Sequence, residues 1–180
     1  MEWLIVGLGN PGTSYDGSRH NVGFAVIERL AARWGVGGPR EKFLGRLREG
    51  RAGESGPRVA LLEPLTYMNE AGRSAGPARG SYRLELDHVL VIHDEIDLPF
   101  GDVRARVGGG LAGHNGLKSL RAELGGTDFA RVRVGVGRPD SSDPEVVAAY
   151  VLARFREPRE EVDALLERAC DAVAAVVLDR

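Results

Sequence analysis

The sequence predicts an α/β layer fold in a single domain. Three observations carry the prediction. Short apolar runs of strand character alternate with segments whose apolar residues recur at helical spacing. Glycine-rich turns punctuate the boundaries, with 25 glycines in the chain. The 180 residues suit one domain with a substantial core, and no low-complexity stretch, repeat or linker divides them.

Glu2 to Leu8 reads as a buried strand closed by Gly9-Asn10-Pro11-Gly12. Residues 21–34 place Val22, Val26, Ile27, Leu30, Ala31 and Trp34 on one helical face, and Gly35 to Pro39 end that helix. Phe43 to Arg48 and Val59 to Leu62 read as strands joined by a glycine-rich turn at 50–57. Asn69 to Tyr82 is helical in pattern, with Pro77 expected to kink or shorten it. His88 to His93 suits a central strand, and Asp102 to Val107 another. Gly108-Gly109-Gly110 is a flexible segment. Asn115 to Leu124 is a short helix ended by Gly125-Gly126, and Arg131 to Val136 is a further strand. Asp143 caps a helix with Pro144 at its first position, running towards Phe155. Residues 158–178 form a last amphipathic helix.

Composition narrows the function classes. Hydrophobic residues are 43% and charged residues 28%, as in ordinary globular proteins. No apolar run reaches the length of a membrane span, and the first residues lack the basic region of a signal peptide. The single cysteine, Cys170, excludes an intrachain disulfide and reads as a small buried hydrophobe. A cytoplasmic setting is expected. Net charge is -2, so any nucleic-acid contact must use a local patch. Residues 141–180 hold 5 Lys+Arg against 9 Asp+Glu, while residues 1–140 hold 19 against 17.

Two short motifs match known chemistry by pattern only. Gly7-Leu8-Gly9-Asn10-Pro11-Gly12 fits G-x-G-x-x-G, but Pro11 and the loop-like Tyr15-Asp16-Gly17-Ser18 deny it the helix that dinucleotide binding needs. The plainer reading is a tight turn at the carboxyl end of a strand. Gly72-Arg73-Ser74-Ala75-Gly76 fits G-x-S-x-G, with Asp94 and His114 following in hydrolase order. Ser74 falls inside a helix, however, where small residues permit close packing. His20, His88, His93 and His114 show no metal-ligand spacing, so no metal and no cofactor is expected.

Asn10, His20, Asn69, Asp94, His114 and Asn115 each sit at or near the edge of an expected element. A histidine beside a carboxylate activates water as a general base, and asparagines offer neutral donors to a developing oxyanion. Each also has a plainer role: Asn69 and Asn115 as helix caps, Asn10 in a turn, Asp94 at a strand end. Spacing alone does not bring them together.

The same residues carry a resemblance. The run Leu4 to Gly12, Tyr15, and Arg19-His20-Asn21-Val22-Gly23-Phe24 resembles the N-terminal signature of the bacterial peptidyl-tRNA hydrolase family. So do Pro64-Leu65-Thr66-Tyr67-Met68-Asn69 with Gly72, and His93-Asp94-Glu95-Ile96-Asp97-Leu98-Pro99 with Gly101. Gly108-Gly109-Gly110, then Gly113-His114-Asn115-Gly116-Leu117-Lys118-Ser119, and Phe129 to Pro139 complete the series, in family order. The resemblance implies a compact monomer with a twisted mixed sheet between helices. It implies hydrolysis of the ester joining a peptide to the 3′-terminal ribose of tRNA. His20 would activate water, and Asp94 would hold it. Asn10 would help to separate peptidyl from free aminoacyl substrates. Asn69 and Asn115 would bind near the scissile ester, and Tyr15, Tyr67 and Met68 would line the cleft. His114 would belong to a flexible loop above it. Arg104, Arg106, Lys118 and Arg133 would meet tRNA phosphates, which gives affinity without sequence readout.

Departures from the family pattern are few. Ser18 stands for a usual threonine, and Glu63 stands where a basic residue is common, which removes one expected RNA contact. The chain ends at Arg180 without a basic tail, so weak terminal contributions to tRNA binding are expected. Two rival functions remain at this level. One is a non-catalytic RNA-binding relative like the organelle splicing cofactors. The other is a serine esterase using Ser74.

Overall fold

The computed structural model describes residues 1–179. A seven-stranded sheet runs in the order β2-β3-β4-β1-β5-β7-β6. Its strands are β1 (Trp3–Gly7), β2 (Arg40–Lys42), β3 (Gly45–Arg51), β4 (Arg58–Pro64), β5 (Val89–Glu95), β6 (Val103–Val107) and β7 (Ala130–Gly135). The helices are α1 (Val22–Trp34), α2 (Gly72–Tyr82), α3 (Asn115–Leu124), α4 (Pro144–Leu152) and α5 (Arg159–Leu178). The four central strands β4, β1, β5 and β7 are parallel, β3 and β6 run antiparallel to them on either side, and β2 pairs antiparallel with β3. The sheet is therefore mixed, as expected.

Alternation along β1 builds two cores. Trp3 and Ile5 face α1 and α5, with Val26, Ile27, Leu30, Leu165 and Cys170. Leu4 and Val6 face α2 and α3, with Ala75, Leu117, Leu120 and Phe129. Both faces of the central strands are covered, which explains their unbroken apolar runs. Helices α1 and α5 are tied further by Arg29 to Asp163 and Glu167, and by Arg33 to Asp171 and Glu167.

One close approach sets where α1 begins. A Cβ on Gly7 would lie 2.3 Å from the Gly23 carbonyl oxygen, and one on Gly23 only 2.4 Å from the Leu8 amide. The end of β1 thus touches the first turn of α1, with residues 18–21 looped between them at the sheet's carboxyl edge.

The structure departs from the sequence expectations at four points. Strand β2 was not foreseen, because Arg40, Glu41 and Lys42 are all exposed and give no apolar alternation. Asn69 lies in a 3-10 turn, Met68–Glu70, and α2 proper starts at Gly72. Pro77 sits inside α2 without ending it. Arg73 and Pro77 are both exposed, which puts the carbonyl that loses its N–H partner on the solvent side of the helix. Helix α4 stops at Leu152, short of Phe155. The expected Asp143 cap is present, its Oδ1 accepting from the Glu145 amide at 2.9 Å.

Candidate active site

The carboxyl edge of the parallel strands gathers the chemistry, as open α/β sheets do. Asp94 is the sixth residue of β5 and is buried. One carboxylate oxygen accepts from His20 Nδ1 at 2.8 Å, and the other meets His114 Nε2 at 2.9 Å. His114 Nδ1 in turn accepts from the backbone amides of Gly116, at 3.1 Å, and Leu117, at 3.4 Å. Those amides place the ring proton on Nε2, so His114 donates to Asp94 while capping α3. Asp94 likewise accepts a hydrogen bond from the Nδ1–H of His20. That leaves His20 Nε2 free as a base.

Charge follows from this geometry. Burial works to raise the Asp94 carboxyl, but the adjacent His20 and His114 outweigh it and hold the group well below the usual carboxylate range. Burial works to lower His20; the charge and hydrogen bond of Asp94 prevail, and its pKa lies above the ordinary 6.5.

His20, Asp94 and His114 also form a trio whose ligand atoms lie within 4.8 Å of one another. The histidine nitrogens that face the carboxylate are its hydrogen-bond donors, so the set is organised as a relay around Asp94. The residues do not present converging lone pairs for an ion.

Asn10 lies in the turn after β1. Its main chain is clasped by Asn21: the Asn10 amide donates to Asn21 Oδ1 at 2.8 Å, and Asn21 Nδ2 donates to the Asn10 carbonyl at 2.9 Å. Asn10 Oδ1 accepts from the Met68 amide at 2.7 Å, which leaves Nδ2 as its available group. A cleft of about 750 Å³ opens here. His20, Asp94, Asn10, Tyr67, Met68, Asn69, His114 and Asn115 all line it. Met68 is buried in its floor, while Tyr67 stands 59% exposed at its rim. One wall is apolar, formed by α4 through Pro144, Val147, Ala148, Val151 and Leu152. Tyr15 is not among the lining residues and lies in the preceding 3-10 turn, Thr13–Tyr15. A second cavity of about 560 Å³ lies behind residues 16–18, against Phe24, Phe155 and Leu166, and contains no histidine.

The four basic positions lie on β6, β7 and α3, and none of them is among the residues that line the cleft. Arg104 and Arg106 on β6 are exposed and pair in register with Arg133 and Arg131 on β7. Like charges directly opposed on one sheet face cost stability, so this row is a liability for the fold. Glu95 relieves it in part, accepting from Arg133 Nε at 3.0 Å. Arg106 lies over Gly109, and Lys118 is exposed on α3.

Several residues here had no functional role assigned from sequence. Asn21 clasps Asn10, as described. His93 is fully buried beneath the trio and meets the His114 ring edge-on at 5.3 Å. Its Nδ1 donates to the Asp94 carbonyl, and its Nε2 accepts from Arg131 Nε at 3.2 Å. Burial, with His114 and Arg131 alongside, lowers this imidazole to about 3. Arg131 Nη1 also donates to the carbonyls of Gly108 and Gly110, fixing the base of the glycine segment. No motif spacing announced these links. The flanking signals were only a histidine next to Asp94 and two arginines alternating with apolar residues in one strand.

The rival motifs dissolve in the structure. Ser74 is the third residue of α2, and its buried Oγ has no hydrogen-bond partner among the described residues. It is not on a strand-to-helix elbow, and Asp94 is bonded to His20 and His114 instead. The Gly7–Gly12 stretch leads into a 3-10 turn rather than the helix a dinucleotide site requires. Glu63 faces away from the cleft, buried and bonded to Arg48 at 2.9 Å. Burial and neighbouring Glu28 push its carboxyl up to about 7.

The family model of peptidyl-tRNA hydrolase matches residues 4–180. The chain belongs to the peptidyl-tRNA hydrolase family. It is 48% identical to the peptidyl-tRNA hydrolase of Pseudarthrobacter chlorophenolicus, covering 95% of this chain and 87% of that one. Identity to the Geobacillus kaustophilus peptidyl-tRNA hydrolase is also 48%, covering 97% and 92%. Among solved structures, the peptidyl-tRNA hydrolase of Acinetobacter baumannii aligns with a TM-score of 0.85 at 37% identity, over 98% of this chain and 88% of that one. Membership in this family fits the mixed-sheet fold. No helix among the described residues is long and apolar enough to cross a membrane.

Proposed function

We infer that this member of the peptidyl-tRNA hydrolase family hydrolyses the ester of peptidyl-tRNA with water activated by His20. The observation that carries the reading is the Asp94–His20 hydrogen bond, which leaves Nε2 as the free base at the cleft. His20 Nε2 takes a proton from water, and the oxygen attacks the ester carbonyl carbon. The resulting oxyanion is met by neutral donors, for which Asn10 Nδ2 and the side chains of Asn69 and Asn115 serve. As the tetrahedral species collapses, the imidazolium returns its proton to the departing ribose oxygen. The products are tRNA with a free 3′-terminal hydroxyl and a peptide carboxylic acid, which releases its proton to solvent as the carboxylate. Asp94 supports the imidazolium throughout without itself taking the proton.

Asn10 also supplies discrimination. With Oδ1 held by the Met68 amide, it offers the cleft a donor only. A peptide carbonyl accepts from that donor, whereas the α-ammonium of a free aminoacyl group can only donate and is left desolvated. The apolar α4 wall receives acyl side chains. Arg104, Arg106, Lys118 and Arg133 serve tRNA phosphates, Arg133 while it also pairs with Glu95. A monomer acting in the cytoplasm suits these features.

The test is release of labelled N-acetyl-aminoacyl groups from tRNA in the presence of EDTA, with free aminoacyl-tRNA as control. Release from the blocked substrate alone supports the reading. Binding of tRNA without release would point to an RNA-binding relative, and loss of release in EDTA would replace the metal-free mechanism.

A further inference from the structure

Arg19 stands immediately before His20 and is 2% exposed, yet no carboxylate pairs with it among the described residues. Its partners are the carbonyls at the end of α4. Nη1 donates to the Tyr150 carbonyl at 2.8 Å and to that of Ala153 at 3.5 Å. The Arg19 amide donates to the same Ala153 carbonyl at 3.0 Å. The guanidinium carbon lies 3.8 Å from the centroid of the Tyr150 ring. A cation thus occupies the negative end of the helix dipole and stacks on an aromatic face. The last turn of α4 has no basic residue of its own to do this.

Helix α4 needs such an anchor. None of its residues is buried, and Val146 and Leu152 are 42% and 40% exposed. It is also tied by the Tyr150 hydroxyl, which donates to the Val136 carbonyl at 2.6 Å, and by the β-bridge between Ser18 and Arg154 just beyond its end. The same helix supplies the apolar wall of the cleft. Its carboxyl end is therefore pinned to the very segment that carries His20.

We propose that Arg19 is a positioning residue that fixes the α4 wall relative to His20 and so sets the preference for bulky apolar acyl groups over small ones. The proposal rests on the cleft being the site of the peptidyl ester. A wall free to drift forfeits contact with a large side chain, while a substrate with none loses nothing there. Lysine at this position keeps the charge but lacks the planar fork and the stacking face.

Arg19→Lys and Tyr150→Leu test this from the two sides of the contact. Release of N-acetyl-phenylalanyl and N-acetyl-glycyl groups from tRNA is measured for each, together with hydrogen exchange of the α4 amides. In both variants the kcat/KM preference for the phenylalanyl substrate is expected to fall about tenfold, mostly through KM. Exchange in α4 quickens, exchange in α1 stays unchanged, and the acid limb of the pH profile does not move. Equal loss on both substrates, no preference in the parent protein, or unaltered α4 exchange overturns the proposal. If the parent protein releases neither substrate, the hydrolase reading fails and the substrate preference falls with it. The exchange data then still report whether Arg19 holds α4.

Discussion

His20 and Asp94 divide the chemistry between them, and each gives a separate signature. His20 is active when neutral, so kcat/KM rises with pH through a pKa held above 6.5 by Asp94. Asp94→Asn removes the charge that holds the value up, and burial then dominates. The acid limb is expected to move down in pH while the plateau falls about 100-fold or more, because the base is left poorly oriented. A pH profile of single-turnover release checks both. A limb that stays in place would detach Asp94 from His20. These two residues were legible as a candidate pair from their positions at element edges and from the family motifs. Their convergence was not legible, because 74 residues separate them and only the sheet order places β5 beside β1. Asn21, His93 and Arg131 act through backbone groups and neighbours, and no local spacing records such contacts.

At the scale of elements, the site depends on how tightly β1 meets α1. Gly7→Ala would put a methyl group 2.3 Å from the Gly23 carbonyl, so backbone must shift. A loss of about 2 kcal/mol or more in denaturant unfolding is expected, with turnover reduced because residues 18–21 move with α1. Unchanged stability would show that the approach is looser than described. The strands and helices that bury an apolar face were readable from periodicity, and α4, which buries none, from its Asp143–Pro144 start. β2 was not, because it is all charge and carries no such start signal. Pro77 misled for the opposite reason, since its cost depends on whether water reaches the carbonyl it strands.

For the molecule as a whole, charge is distributed against the fold's own interest. A net charge of -2 conceals a row of arginines on adjacent strands. Composition showed only a mild excess of positive charge before residue 141; the sheet order made it a patch. Arg106→Ala is expected to weaken tRNA binding and to reduce the salt dependence of log K by about 1, with kcat little changed. Binding titrations at several salt concentrations check this, and an unaltered slope would remove Arg106 from the phosphate contacts. The most direct test of the whole account is single-turnover release of N-acetyl-aminoacyl groups from tRNA by the parent protein and by His20→Ala, with folding and tRNA affinity measured alongside. The account predicts release slowed by about 100-fold or more in the variant, with both controls intact. Equal release by the two proteins would contradict it, and the base would have to be sought elsewhere in the cleft.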